Sequence, residues 1–207
     1  MGVCFPMIFI PRKIKEKPAQ SEINIQREFI HLKINSSNIR IFRDLAYKSY
    51  QYLNQFRSNP NFYGEQIGLD LSEIKIAKTL IWDPTLIHLA ELKAVDMAGR
   101  NYFNHIDPEG YGMNYRAEEA GFPLPENWIR KKNLNSIESI AANNKTPDRF
   151  IQQLIIDQGV DQKGHRRHLL ATIPFYQKAT HIGIGIAYNP QSEYGYYCCV
   201  LIAPKGK

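Results

Sequence analysis

Disulfide chemistry is nearly absent from this sequence. Its 207 residues include three cysteines, Cys4, Cys198 and Cys199. The last two are adjacent, so on a strand they point to opposite faces and no disulfide framework can be built. Folding therefore needs no oxidising compartment. No apolar run approaches the roughly 18 to 20 residues needed to cross a bilayer, which excludes a membrane-spanning helix. No Gly-, Ser- or Pro-rich linker divides the middle of the chain, so at about 100 to 200 residues per domain the expectation is one domain with appendages. Short motifs with a strong mechanism are also missing: there is no CxxC pair, no HExxH, no phosphate-cradling glycine loop and no GxSxG. What is present is apolar enough to fold. With 43% hydrophobic and 22% charged residues, the chain can bury a sizeable core and is not disordered.

Acidic residues are outnumbered. The 26 Lys and Arg against 20 Asp and Glu leave a net charge of +6. Half of that excess lies in the first twenty residues, where Arg12, Lys13, Lys15 and Lys17 face Glu16 alone. Elsewhere acids and bases interleave as solvated faces, and nucleic acid is not an expected partner. The apolar stretch over residues 3–10 is broken by Pro6 and precedes the charges, the reverse of the order in a secretory signal. One reading is lipidation, with Gly2 a candidate for myristoylation, Cys4 for palmitoylation, and the basic run on anionic headgroups. The other is a disordered basic tail with an incidental cysteine, since Pro6 stands where the myristoylation pattern wants Ser or Thr.

From Asn38 the periodicity becomes helical, with Phe42, Leu45, Ala46, Ser49, Leu53 and Phe56 at steps of three and four until Asn59-Pro60. Asp83-Pro84 pairs an N-cap with a first-turn proline, and Ile87, Ala90, Ala94, Met97 and Ala98 then form a small-residue face suited to close packing. A short helix is expected over 114–120, closed by Gly121. Another opens at Thr146-Pro147-Asp148, turns Phe150, Ile151, Leu154 and Ile155 to a core, and is expected to end at Gly159. Then the period changes to two. Ile182, Ile184 and Ile186 alternate with Gly183 and Gly185, and after Asn189-Pro190-Gln191-Ser192 comes the β-prone run 194–203, predicting an antiparallel hairpin. Glycine on the second face lets another element approach closely, so the sheet should be covered on both sides. With a further strand expected over 136–142, the prediction is an α+β fold, a three-layer α-β-α sandwich with a small antiparallel sheet between helices.

Four polar residues stand in apolar or glycine-rich contexts: His105 in Tyr-Phe-Asn-His-Ile-Asp-Pro-Glu-Gly, Glu138 in Ser-Ile-Glu-Ser-Ile-Ala-Ala, Asp157 in Leu-Ile-Ile-Asp-Gln-Gly, and His165 in Lys-Gly-His-Arg-Arg-His. Two imidazoles and two carboxylates suit a divalent metal, or an acid and a base. Each also has a purely structural reading: a loop histidine, a strand-edge charge, a helix-end residue and the first residue of a short helix.

In their order along the chain, these contexts resemble the CAP superfamily, which includes the cysteine-rich secretory proteins, antigen 5 and the plant pathogenesis-related proteins. The likeness spans residues 47–203 and is closest to short bacterial-type members. It rests on Leu53-Asn54-Gln55-Phe56-Arg57-Ser58-Asn59-Pro60, Ile81-Trp82-Asp83-Pro84-Thr85-Leu86, the Asp-Pro-Glu-Gly after His105, Ile137-Glu138-Ser139-Ile140-Ala141, Gly164-His165-Arg166 and Ile182-Gly183-Ile184-Gly185-Ile186-Ala187. The resemblance places the family's cavity histidines on His105 and His165. Its first acid falls on Glu138 rather than Glu126, because Glu138 lies eight residues before Thr146-Pro147. Its second falls on Asp157, one methylene shorter than the usual glutamate. Ser139 replaces the usual asparagine, Leu154 the helix tryptophan, and the disulfides of secreted members are missing.

The resemblance implies a CAP domain over 38–207 behind a basic extension over 1–37. It implies a binding or interaction module whose cleft takes a divalent metal such as zinc through His105, Glu138, Asp157 and His165. Sterols, fatty acids, membrane lipids or proteins are the implied partners. The competing class is a metal-dependent hydrolase, peptidase or nuclease, in which His105 and Glu138 activate a metal-bound water; Asn104-His105-Ile106-Asp107-Pro108 faintly resembles the HNH nuclease motif. No Ser or Cys is recognisably paired with a base. The lack of disulfides favours a cytoplasmic or peripheral-membrane location over secretion.

Overall fold

The computed structural model describes residues 38–128 and 131–206. The expectations for Gly2, Cys4 and the basic run lie outside the described residues. Among those residues the chain runs β1 (Arg40–Ile41), α1 (Arg43–Ser58), α2 (Pro60–Glu65), β2 (Ile81–Trp82), α3 (Pro84–Arg100), α4 (Met113–Glu119), β3 (Glu138–Ala142), α5 (Pro147–Ile156), α6 (Gly164–Leu169), β4 (His181–Tyr188) and β5 (Tyr196–Ala203). None of these helices is long and apolar enough to cross a membrane. Helix α1 starts later than its periodicity predicts. Arg40 and Ile41 pair instead with Tyr188 and Ala187, and the Phe42 N–H donates to the Ile186 carbonyl at 2.9 Å, so sheet bonds override the helical pattern.

The sheet order is β1-β4-β5-β3, all antiparallel neighbours, while β2 adds to β4 in parallel with Ile81 opposite His181. The predicted hairpin is β4–β5, and the strand expected over 136–142 is β3, paired to β5 with Glu138 opposite Leu201. Period-two alternation sorts the two faces of the sheet. On one, Ile182, Ile184, Ile186, Cys198, Val200 and Ile202 pack with Leu53 and Phe56 of α1 and Phe150, Ile151 and Leu154 of α5. Full burial of each large side chain contributes about 1.5 to 3 kcal/mol. The other face carries the glycines, and α3 lies directly on them. A Cβ on Gly183 would stand 2.1 Å from the carbonyl carbon of Leu86, and one on Gly185 2.2 Å from that of Ala90. Helices on both faces make the three-layer α-β-α sandwich.

The cap chemistry is as the residues dictate at α3, where Asp83 Oδ1 accepts from the N–H groups of Thr85 (2.9 Å) and Leu86 (3.2 Å). At α5 it differs. The helix ends at Ile156, and Asp157, not Gly159, takes the left-handed cap position with φ 54°. Asp tolerates that region better than most side chains, and the site uses the result. One buried cation ties α1 to α6 and to the segment before β2. Arg57 on α1 donates to the Lys78 carbonyl (3.1 and 2.8 Å) and to the Leu169 carbonyl at the end of α6 (2.5 Å). Burial draws its pKa down to about 10.

Candidate functional site

His105 stands in the loop after α3, and buried charge holds that loop. Lys93, buried on α3, donates to Tyr102 Oη (3.2 Å), the Asn104 carbonyl (2.8 Å) and the His105 carbonyl itself (3.2 Å). Further along, Arg100 bridges Asp96 and Glu109, and Arg116 binds Asp107 at 2.7 Å. The imidazole so presented meets strand β3, with His105 Nδ1 2.7 Å from Glu138 Oε2. The Glu138 side chain is wholly buried while that of His105 is 39% exposed, so the acid stands behind the ring and the ring faces out. The other carboxylate oxygen of Glu138 accepts from the Cys199 thiol at 3.5 Å. Burial, first, and the Glu138 charge push that thiol well above its ordinary pKa, which keeps it protonated and a donor.

The second half of the site is built from a helix end. The left-handed backbone at Asp157 aims its carboxylate at the first turn of α6. There Oδ2 accepts from the His165 N–H (2.9 Å) and the Arg166 N–H (3.2 Å), and Oδ1 meets His165 Nδ1 at 2.7 Å. One carboxylate thus caps the helix and orients its imidazole. Lys163 Nζ donates to the Asp157 carbonyl at 2.9 Å. The Asp157 side chain is 1% exposed and that of His165 20%.

The two pairs meet. The His105 and His165 rings lie 5.9 Å apart, centre to centre, tilted by 36°. An ionised carboxylate only accepts, so each neutral ring carries its hydrogen on Nδ1 and leaves the Nε2 lone pair for a ligand. Among the described residues no three or more His, Cys, Asp or Glu side chains are grouped to hold a metal ion. Glu138 and Asp157, expected among the ligands from the sequence, each turn one oxygen to an imidazole and the other to a further donor, the Cys199 thiol and the backbone N–H groups of α6 respectively. Beside His165 opens a cavity of about 440 Å³, walled by Phe103, Ile140, Asn144, Arg149, Gln152 and Gln153 among others.

Three neighbours of these pairs escaped the sequence patterns. Lys93 is one; between Glu91 and Asp96 on α3 it carries no distinctive pattern. The others are Ser139 and His168. Ser139 occupies the position that the resemblance gives to asparagine, and strand alternation turns it to the face opposite Glu138. There its hydroxyl lies 2.8 Å from Nδ1 of the fully buried His168, whose Nε2 is 3.2 Å from the Ile202 carbonyl. That carbonyl accepts only, so Nε2 bears the hydrogen and Nδ1 accepts from Ser139. His168 lies one helical turn beyond His165, and this spacing is its only trace in the sequence. Burial draws its pKa down to about 4. The Ser–His pair lies under the site and is closed to solvent.

A small sheet sandwiched between helices, with two acid-backed imidazoles at the end of β3, defines a three-layer domain of the CAP type. The chain belongs to the CAP (cysteine-rich secretory protein) family, whose sequence model matches residues 50–201 and so includes all four site residues. Among solved structures the chain is similar to an outer surface protein from Borrelia burgdorferi, with 14% identity, a TM-score of 0.48, and coverage of 75% of this chain and 94% of that one. It is also similar to an extracellular protein containing an SCP domain from Bacillus anthracis, with 19% identity, a TM-score of 0.43, and coverage of 75% and 40%. No curated protein matches.

Proposed function

We propose that this CAP domain is a binding module centred on His105 and His165, which hold a divalent metal of the zinc class through their Nε2 atoms. The observation that carries the reading is the paired 2.7 Å contact of each Nδ1 with a buried carboxylate. Carboxylates behind metal-binding histidines fix the tautomer and raise the basicity of the ligand nitrogen. The donor set fits. Two neutral imidazoles suit zinc, whose Zn–N bonds are about 2.0 to 2.1 Å, and leave other positions for a ligand. A bound metal would supply Lewis acidity toward an oxygen of that ligand. The residues do the rest. Lys93 holds the His105 loop, Asp157 holds the first turn of α6, and Asn144, Arg149, Gln152 and Gln153 offer polar contacts beside the apolar Phe103, Ile140, Leu154, Ile156 and Val160.

Calorimetry with zinc tests this. Wild-type protein should bind one equivalent near neutral pH and release it on acidification, because protons compete for the same nitrogens. The His105→Ala, His165→Ala double variant should not bind. Equal zinc affinity in the two proteins refutes the reading.

A further inference from the structure

Strand β3 is the last in the order β1-β4-β5-β3, so one of its two edges is unpaired. The flanking bonds show which groups face that edge. Ile202 N–H donates to the Ile137 carbonyl and Asn143 N–H to the Tyr196 carbonyl. In an antiparallel ladder residues 137, 139, 141 and 143 then bond to β5, while Glu138, Ile140 and Ala142 turn their N–H and C=O groups outward. The Ala142 carbonyl is taken by Asn144 Nδ2 at 3.2 Å. The N–H and C=O of Ile140 have no protein partner among the described residues, although Ile140 is 6% exposed and lines the cavity beside His165. Backbone groups buried to that degree are nearly always met by a partner.

The other wall is α5, which runs opposite to β3. Glu138 at the start of β3 and Asp157 at the end of α5 both lie at the histidines, so Arg149, near the start of α5, marks the far end of the cavity. No hydrogen bond or ion pair engages its guanidinium among the described residues. Eight helical steps from Arg149 to Asp157 span about 12 Å at 1.5 Å per residue. That is the reach of three to four extended residues at about 3.3 Å each.

We infer that the cavity binds the last four residues of an extended polypeptide, which adds to the free edge of β3 with its terminal carboxylate on Arg149. The inference rests on the proposed function, in that the upstream carbonyls of the peptide point toward the His105–His165 centre. Strand addition draws affinity from main-chain bonds, and Ile140 offers one donor and one acceptor that an extended chain meets from alternate residues. A guanidinium at the far end matches a carboxylate in charge and in fork geometry.

The experiment is fluorescence anisotropy with dye-labelled Ala-Ala-Ala-Ala, titrated into the full chain with zinc and, separately, after chelation. The free acid should bind saturably and the C-terminal amide at least tenfold more weakly. Arg149→Gln, a change at an exposed position, should lower affinity for the acid tenfold and abolish the preference over the amide. N-methylation should block binding at one alternating set of peptide nitrogens and be tolerated at the other. Equal binding of acid and amide by wild type, tolerance of both methylated sets, or no saturable binding overturns the inference. Zinc calorimetry on the same samples separates the two proposals: acid-selective peptide binding by protein that takes up no zinc supports the peptide site and refutes the metal reading.

Discussion

Lowering the pH should destabilise this protein through a residue that touches no solvent. His168 is fully buried, donates from Nε2 to the Ile202 carbonyl and accepts at Nδ1 from Ser139. Desolvation draws its pKa from the ordinary 6.5 to about 4; the Ile202 carbonyl opposes this, and the charges of His165, Arg57 and His105 reinforce it. Because the folded pKa is depressed, the native state refuses a proton that the unfolded chain accepts. The contribution of His168 is therefore whole above pH 6.5 and is lost as pH falls toward 4. The loss runs at up to about 1.4 kcal/mol per pH unit and totals about 3 kcal/mol. That is a large share of the 5 to 15 kcal/mol by which domains are stable. His168→Asn isolates the effect, since the amide can still accept from Ser139 but does not titrate. Urea unfolding of both proteins from pH 8 to pH 4 gives the difference in stability, and other titrating groups, His181 included, cancel between them. Wild type should lead at pH 8, and that lead should shrink by about 3 kcal/mol at pH 4. A difference that stays constant across the range refutes the reasoning.

Three further outcomes are expected. Gly185→Ala puts a methyl carbon 2.2 Å from the backbone of Ala90, so it should cost at least the roughly 1 to 3 kcal/mol typical of overpacking, read as a large fall in melting temperature; an unchanged melting temperature refutes the close packing. Lys93→Met removes all three bonds to the His105 loop and should weaken zinc binding about tenfold, in the range for lost supporting partners, whereas unchanged affinity would show that the loop holds itself. Removing residues 1–20 takes away a net charge of +3 and, at about 1 kcal/mol per unit of that net charge, should weaken partitioning onto anionic vesicles by about a hundredfold; equal sedimentation of the two forms would rule the segment out as a lipid anchor.

Much of the scaffold was legible because its signals are local. Asp83-Pro84 states a helix start in two residues, and the isoleucine–glycine alternation at 182–186 states both a strand and the closeness of its neighbour. Two-residue strands such as Ile81–Trp82 cannot be seen that way, since nothing but the partner β4 makes them strands. The end of α5 was misplaced because glycine is the usual left-handed residue, and only the tertiary demand of His165 and α6 explains why Asp157 takes that position. At the site, the contexts of four residues are readable, but not which side chains face outward and which stand behind. That Glu138 and Asp157 stand behind the imidazoles depends on depth, which residue order does not encode. The Ser139–His168 pair is hidden because its members come from distant parts of the chain, and Lys93 because its partners, though near in sequence, are mostly backbone carbonyls that leave no residue pattern.

The missing side chains of Gly183 and Gly185 give the two halves of the site different supports. Backbone lies on backbone between α3 and β4, and at Gly183 and Gly185 the contact leaves no room for even a methyl group. The helix that leads to His105 is therefore set directly on the sheet. His165 hangs on the opposite arrangement, a six-residue helix reached through Asp157, Gln162 and Lys163, all left-handed and none a glycine. Such positions each hold on the order of 1 kcal/mol of backbone strain. Close backbone packing thus underlies the approach to His105, and a run of left-handed turns the approach to His165.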